Sequence, residues 1–242
     1  MIGFDRPLRP HWIYESLLLA EPGQKMAELN LPFENIAREL TGKEGKRKVR
    51  TVLFRCFLRS EDNETRVRDT LFLKDLSVDK GLEFMKPIYL FYLVGKTDTL
   101  AKISKHIFRL YDFGDEINIQ FLKNKMIDEF GERDVVGRAT GAFIQTLEFF
   151  GIIQKVGAKA VLKKRLQVDE EQLRIILNLF SKEMLHSPQI SLNHLPEFIF
   201  NYFTFPNLKI VAQKYNGQDW DYQHRMNDDY LIIRDNINYK AN

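Results

Sequence analysis

The chain has 242 residues, 44% of them hydrophobic, and a formal net charge of +3. That length and apolar content are enough for a sizeable core of one or two domains, which excludes a disordered chain. The longest apolar runs, such as Pro87 to Val94, fall well short of the ~18 residues a membrane helix needs, and Met1 to Pro7 lacks the basic flank and apolar stretch of a secretion signal. A cytoplasmic protein without membrane contact is therefore expected. One cysteine, Cys56, and five scattered histidines predict neither an internal disulfide nor a metal site, and no cofactor is expected.

Charge is uneven along the chain. Thr41 to Arg68 holds nine Lys or Arg against four Asp or Glu, and Ile152 to Val168 holds five against none. From Asp169 onward the balance reverses to seven basic and ten acidic residues. The small net value conceals two basic segments and a mildly acidic tail.

Residues 1 to 32 carry four of the eight prolines, which confine helix to the pieces between them. His11 to Ala20 is the first predicted helix, with Trp12, Tyr14, Leu17, Leu18 and Leu19 as its packing face and His11 at the edge of the core. Phe33 to Leu40 and Lys46 to Ser60 then form a helix-turn-helix candidate around residues 41–45. On the later helix Val49, Val52, Leu53, Cys56 and Phe57 share one face, so Cys56 reads as a small core residue rather than a nucleophile. Arg47, Thr51, Arg55 and Arg59 project away from that face. Together with Lys48, the three arginines are candidate DNA phosphate contacts, because neighbouring cations release counterions from a nucleic-acid backbone. A merely solvated helix face fits the same pattern equally well, and Leu58, on the outer side, points to a protein contact instead.

Thr70 to Val78 is too short to assign. Leu82 to Phe113 is the most apolar part of the chain. Pro87 to Val94 is apolar on all sides and predicts a buried helix, and Leu100 to Tyr111 predicts an amphipathic one carrying Ile103, Ile107 and Leu110. Aromatic residues here read as core, since they sit among apolar rather than basic neighbours.

The stretch Ile117 to Val168 is the most informative. A short β-branched run, Ile117 to Ile119, leads into a helical pattern over Gln120 to Phe130 with Phe121, Met126, Ile127 and Phe130 as apolar positions. After a break at Gly131, a second helix is predicted over Asp134 to Phe150. Its face is Val136, Thr140, Phe143, Leu147 and Phe150, and Gly151 stops it. Two further apolar runs, Ile152 to Val156 and Ala160 to Val168, flank Gly157-Ala158-Lys159 and read as a β-hairpin. Strand, helix, turn, helix and basic hairpin is the order of a winged helix-turn-helix.

In that unit Arg138 and Gln145 are residue types that read base edges. The hairpin cations Lys155, Lys159, Lys163, Lys164 and Arg165 lie where a wing meets a duplex. Gly137 and Gly141 are one turn apart inside a helix, at a cost of about 1 kcal/mol each in propensity. They imply close approach by a DNA backbone or by a partner helix. Asp134 and Glu148 on the same side count against simple phosphate binding.

Asp169 to Leu185 predicts a helix with an acidic start, which suits the macrodipole. Phe198 to Phe205 is dense in aromatics that either pack back on the body or form a self-association surface. Trp220 to Arg225 and Tyr230 to Asp235 read as a terminal hairpin. The expected fold is mainly α with small β. A helix-turn-helix-like N-terminal bundle (residues 1–80) precedes a winged helix-turn-helix domain (81–168) and a C-terminal helical and hairpin extension (169–242).

The layout from about Glu15 to Val168 resembles the BrxA family of bacterial phage-exclusion (BREX) systems. The resemblance is carried by Glu15-Ser16-Leu17-Leu18, the basic helix Lys46 to Ser60, the apolar block Ile88 to Phe113, and the closing pattern Phe143-Ile144-Gln145-Thr146-Leu147-Glu148-Phe149-Phe150-Gly151-Ile152-Ile153. It implies DNA binding through helix-turn-helix elements within a phage-defence system. The chain departs from the family by its proline-rich start and by the 74 residues after Val168.

Three functions follow from these readings. The first is a non-enzymatic protein that binds double-stranded DNA with little sequence preference. The second is a winged-helix protein-interaction scaffold, and the third is an enzyme. Against the enzyme, the sequence has no glycine-rich phosphate loop, no G-x-S-x-G elbow and no H-E-x-x-H. His106, His186, His194 and His224 are too dispersed to assemble a catalytic set.

Overall fold

Pro87 to Val94 is buried on every side, and the helix carrying it sets the arrangement. A computed structural model of the chain describes residues 3–234 apart from Glu61, Ala158 and Met226. It is mainly helical with three small sheets. No described helix is long and apolar enough to cross a membrane.

The N-terminal part comprises α1 (Pro10–Leu19), α2 (Asn30–Ile36) and α3 (Lys43–Phe57). α2 starts earlier than the prolines suggest because Pro32 falls in its first turn, where a missing N–H leaves no bond unmade. α4 (Phe72–Lys96) takes in most of the short segment Thr70 to Val78. It is broken at Gly81, whose φ of 78° and ψ of 171° are denied to other residues. α5 (Asp98–Leu110) follows at once and buries Leu100, Ile103 and Ile107.

α1, α3, α5 and two later helices, α8 (Glu170–Leu179) and α9 (Glu197–Phe200), all pack against α4. Phe57 on α3 meets the rings of Tyr89 and Tyr92. The hydroxyls of Ser77 and Tyr89 lie 2.6 Å apart across the break in α4, and burial raises the Tyr89 phenol far above its ordinary range. Leu58 is fully buried, contrary to the outward position that helical spacing assigns it. α3 ends at Phe57, Leu58 N still donates to the Phe54 carbonyl at 2.9 Å, and the Leu58 carbonyl accepts from Arg68 N at 2.8 Å. Beyond it the chain doubles back, pairing Arg59 with Val67, and encloses the side that helical spacing leaves open.

Between α5 and the tail lie β1 (Glu116–Ile117), α6 (Ile119–Phe130), α7 (Asp134–Phe149), β2 (Ile153–Val156) and β3 (Lys159–Leu162). The strands form an antiparallel sheet in the order β1-β3-β2. α6 buries Leu122 and Met126, whereas Phe121 stays exposed at 42%. Spacing alone had put Phe121 on the packed face, but the contact with α7 rotates the helix so that its neighbour points inward.

The tail beyond Val168 is built into the same core. Asp169 caps α8 reciprocally with Gln172, at 2.8 Å in both directions, and Gln172 Nε2 also donates to the Phe84 carbonyl of α4. A π-helical segment, Phe180–Leu185, completes the stretch. The strand β4 (Leu166–Gln167) pairs in parallel with β6 (Phe203–Thr204). Phe200 and Phe203 meet Phe91 of α4, and buried Tyr202 packs on Phe108 and Phe143 while its hydroxyl donates to Ser104 Oγ at 2.9 Å. The aromatic cluster therefore packs back on the body. Buried residues from 1–80, 81–168 and the described part of 169–242 form one continuous cluster.

The last elements are β5 (Gln189–Ser191), α10 (Leu208–Lys214), β7 (Trp220–Arg225) and β8 (Asp228–Ile233), with sheet order β5-β8-β7. The expected hairpin is present with its second strand shifted to an earlier start, and Asp235 lies outside the described residues. Arg174 on α8 makes a two-pronged ion pair with buried Asp219 and stacks 4.1 Å over Tyr215, fastening this sheet to the body.

Tyr202→Phe removes one buried hydrogen bond and is expected to cost about 1 kcal/mol, whereas Tyr202→Ala empties a core site at about 3–5 kcal/mol. Urea unfolding measures both. A Tyr202→Ala chain as stable as the parent would contradict the integration of the tail.

Candidate nucleic-acid interface

Asn118 caps α6 through its side chain, which accepts from Phe121 N at 2.9 Å, and residues 131–133 connect it to α7. α7 buries Val136, Ala139, Thr140, Phe143, Ile144 and Leu147. Of the positions expected to point outward, Asp134 and Arg138 are exposed, and Gly141, Gln145 and Glu148 are half-buried. Gly151, with φ of 81°, ends the helix as anticipated.

The open side of α7 forms one wall of a groove of about 690 Å³. Lys123 on α6, Arg133 in the turn and Arg6 from the N-terminal segment border it, along with Arg138 and the carboxylates of Asp5, Glu132 and Asp134. Gly137 and Gly141 line the floor. A Cβ added at Gly137 would meet nothing within 4 Å, and one at Gly141 only Lys123 Cε at 4.0 Å. Packing inside the described molecule gives no steric reason for either glycine.

The far half of α7 is covered. Phe4 meets Phe143 edge-on, Leu8 N donates to Thr146 Oγ1 at 3.0 Å, and the Arg9 guanidinium lies 4.1 Å over Phe149. Arg138 thus stands at the open end of the helix, in a loose ion pair with Asp134 at 3.7 Å. Gln145 sits nearer the covered end. Sequence spacing singled out those two but not Arg6, Lys123 or Arg133, which reach the groove from other elements. For Arg133, its position in the inter-helix turn was the only available signal, and for Lys123 there was none.

The acids missing from the hairpin segment arrive from neighbours in space. Lys155 pairs with Glu148 of α7 at 2.9 Å, and Lys159 with Glu116 of β1 at 2.7 Å. The Glu116 hydrogen bond holds the Lys159 ammonium above its ordinary pKa. Lys163 bonds the Gln154 side chain. Arg165, itself exposed, lies 4.3 Å over the Phe113 ring and donates to the Asn201 carbonyl at 3.1 Å. Lys164 is exposed beside it.

The basic row of α3 divides in two. Arg47 and Lys48 are exposed, Arg47 being paired with Glu44 at 2.8 Å. Arg55 and Arg59 are half-buried and do not project into solvent as expected. The reason is geometric, since each four-residue step advances roughly 40° around a helix. Within α3 the row that starts at Arg47 therefore turns toward a cleft by Arg55, and Arg59, two residues past the end of the helix, borders the same cleft, where Glu64 lies 2.9 Å away. Cys56 borders the same cleft, and burial lifts its thiol to about 11.

A serine, a histidine and an aspartate also meet at β5 and β8. Ser191 Oγ lies 2.8 Å from His194 Nδ1 and donates to Asp228 Oδ2 at 2.7 Å, while Asp228 approaches the same ring nitrogen at 3.4 Å. A hydrolytic relay needs Ser and Asp on opposite ring nitrogens. This set instead ties β8 to the turn after β5. Among the described residues no three His, Cys, Asp or Glu side chains gather as a metal ion requires.

No protein-family model, curated protein or solved structure matches the chain.

The raised pKa of Cys56 means that the thiolate is scarce at pH 8. Alkylation by iodoacetamide at that pH is expected to be at least about tenfold slower than for a free thiol of ordinary pKa, and to keep accelerating until the pH passes about 11. Mass spectrometry of quenched samples follows this directly. A rate equal to that of free cysteine would contradict the burial.

Proposed function

We propose that residues 98–162 act as a winged helix-turn-helix that binds double-stranded DNA, with α7 presented to the duplex and β2–β3 as its wing. The order α5-β1-α6-α7-β2-β3 and the sheet order β1-β3-β2 support the architectural part of this reading. The observation that carries the functional part is the glycine-floored groove on α7. Two helix-interior glycines, each costing about 1 kcal/mol against alanine, face open space amid Arg6, Lys123, Arg133 and Arg138. A phosphate backbone approaching closely uses both features, the missing side chains for access and the cations for charge. With Gln145 near the covered end, Arg138 is the principal base-edge reader, so contact with the backbone outweighs sequence reading. The BrxA-like layout would place this binding in a phage-exclusion system.

A second reading rests on the wing, where Glu148 and Glu116 already neutralise Lys155 and Lys159. A partner helix lying over Gly137 and Gly141 would make the fold a protein-interaction scaffold.

Salt separates the two. Fluorescence anisotropy with a labelled random duplex is expected to show binding that weakens with a log-log slope of roughly −3.5, for phosphate contacts by Arg6, Lys123, Arg133 and Lys164. Arg133→Ala is expected to lower that slope by about 1. Absence of binding at low salt would overturn the DNA reading and leave the scaffold. Gly137→Ala and Gly141→Ala should each stabilise the chain by about 1 kcal/mol while weakening duplex binding. Variants that gain stability and bind unchanged would remove the glycine argument.

A further inference from the structure

A second cationic cleft, of about 340 Å³, adjoins the same N-terminal segment: Gly3 and Phe4 border it, as Asp5 to Pro7 border the α7 groove. Arg55 from α3, Arg59 and Arg68 from the segment after it and Lys96 from the end of α4 converge there, facing the carboxylates of Glu64 and Asp98.

Each cation is held in place by the fold. The Arg55 guanidinium lies so close over Gly3 that a Cβ on that residue would fall 1.9 Å from Nη1. Arg68 donates to the Tyr92 hydroxyl at 2.8 Å and to the Arg59 carbonyl at 3.3 Å, while its buried Nε has no hydrogen-bond partner. Lys96 is anchored by Glu183, at 3.1 Å to the carbonyl and 3.3 Å to the carboxylate. Arg59 pairs with Glu64, whose side chain is 73% exposed and readily exchanged for another anion. Cations gathered in a half-buried cleft repel one another more strongly than in water, and focus the field on whatever enters. An anion with several oxygens relieves that repulsion, and guanidinium groups match phosphate oxygens with paired donors. The volume admits a phosphate with an attached sugar.

We propose that this cleft binds a phosphate monoester, supplied by a free nucleotide or by the 5′ end of a nucleic acid. The inference does not depend on the α7 groove, because none of its four cations lies there.

Isothermal calorimetry of the full chain with adenosine 5′-monophosphate, with adenosine as the uncharged control, tests it. The expected result is one saturable site for the monophosphate and none for adenosine. Arg55→Gln and Arg59→Gln should each weaken binding by about tenfold, and Lys105→Gln on exposed α5 surface should leave it unchanged. Thermal melts establish that each variant folds. Should Arg55→Gln fail to fold, Arg59→Gln carries the test, since its ion-pair partner is the exposed Glu64. In parallel, duplexes bearing a 5′-phosphate or a 5′-hydroxyl identify the source. A preference for the phosphorylated end that disappears in Arg59→Gln assigns the site to nucleic-acid ends, and saturable monophosphate binding without that preference assigns it to nucleotides. No saturable binding of the monophosphate together with no end preference, or binding that survives both substitutions, would overturn the proposal.

Discussion

The fold depends on one helix that is apolar all the way round. Pro87 to Val94 has no solvent-facing side, and leaving such a helix uncovered on any side forfeits about 1.5–3 kcal/mol for each large side chain exposed. It must therefore be enclosed from several directions. α1 and α3 do so from the N-terminal part, α5 from the next helix in the chain, and α8 with α9 from the tail. The tail's aromatic density has the same origin, because Phe200 and Phe203 fill the side of α4 around Phe91. Segments that look separable along the chain share a core because one buried helix needs all of them.

That enclosure positions both cationic clefts. α5 is packed on α4 and on the α6–α7 pair, so that helix pair is held at a fixed place on the body. The N-terminal segment runs over the far half of α7, fastened by Phe4, Leu8 and Arg9, and leaves the half carrying Gly137, Arg138 and Gly141 open. Its first residue described, Gly3, lies instead beneath Arg55. One short segment thus shapes the end of the groove and the edge of the cleft, and its burial makes it a fixed wall of each.

Electrostatics modifies both surfaces without removing them. Ion pairs with an exposed carboxylate, Arg138 with Asp134 in the groove and Arg59 with Glu64 in the cleft, contribute little to stability and exchange readily for a competing anion. Arg165, by contrast, is held by an aromatic ring and a backbone carbonyl, which suits it to joining the hairpin to the tail rather than to meeting a ligand. Cations alike in sequence therefore differ in availability according to their neighbours in space.

The amino-acid sequence by itself determined the elements with strong periodicity or punctuation. The face Val136, Thr140, Phe143, Leu147 and Phe150, the stop at Gly151, the hairpin around Gly157 and the buried run in α4 are local consequences of side-chain spacing and backbone freedom. The outward position of Arg138 followed from the same spacing. Tertiary structure alone decided what sits beside what. Leu58 is enclosed because the chain doubles back beside the end of α3, Arg55 leaves the exposed row because a four-residue repeat drifts around a helix, Arg59 meets it from beyond the helix end, and Arg6, Lys123 and Arg133 met from three separate elements. Glu116 and Glu148 reached the hairpin cations Lys159 and Lys155 from outside the hairpin. Periodicity records which face of an element is apolar, but contacts between charges distant in sequence depend on how those faces are stacked, and that is set by the need to enclose α4.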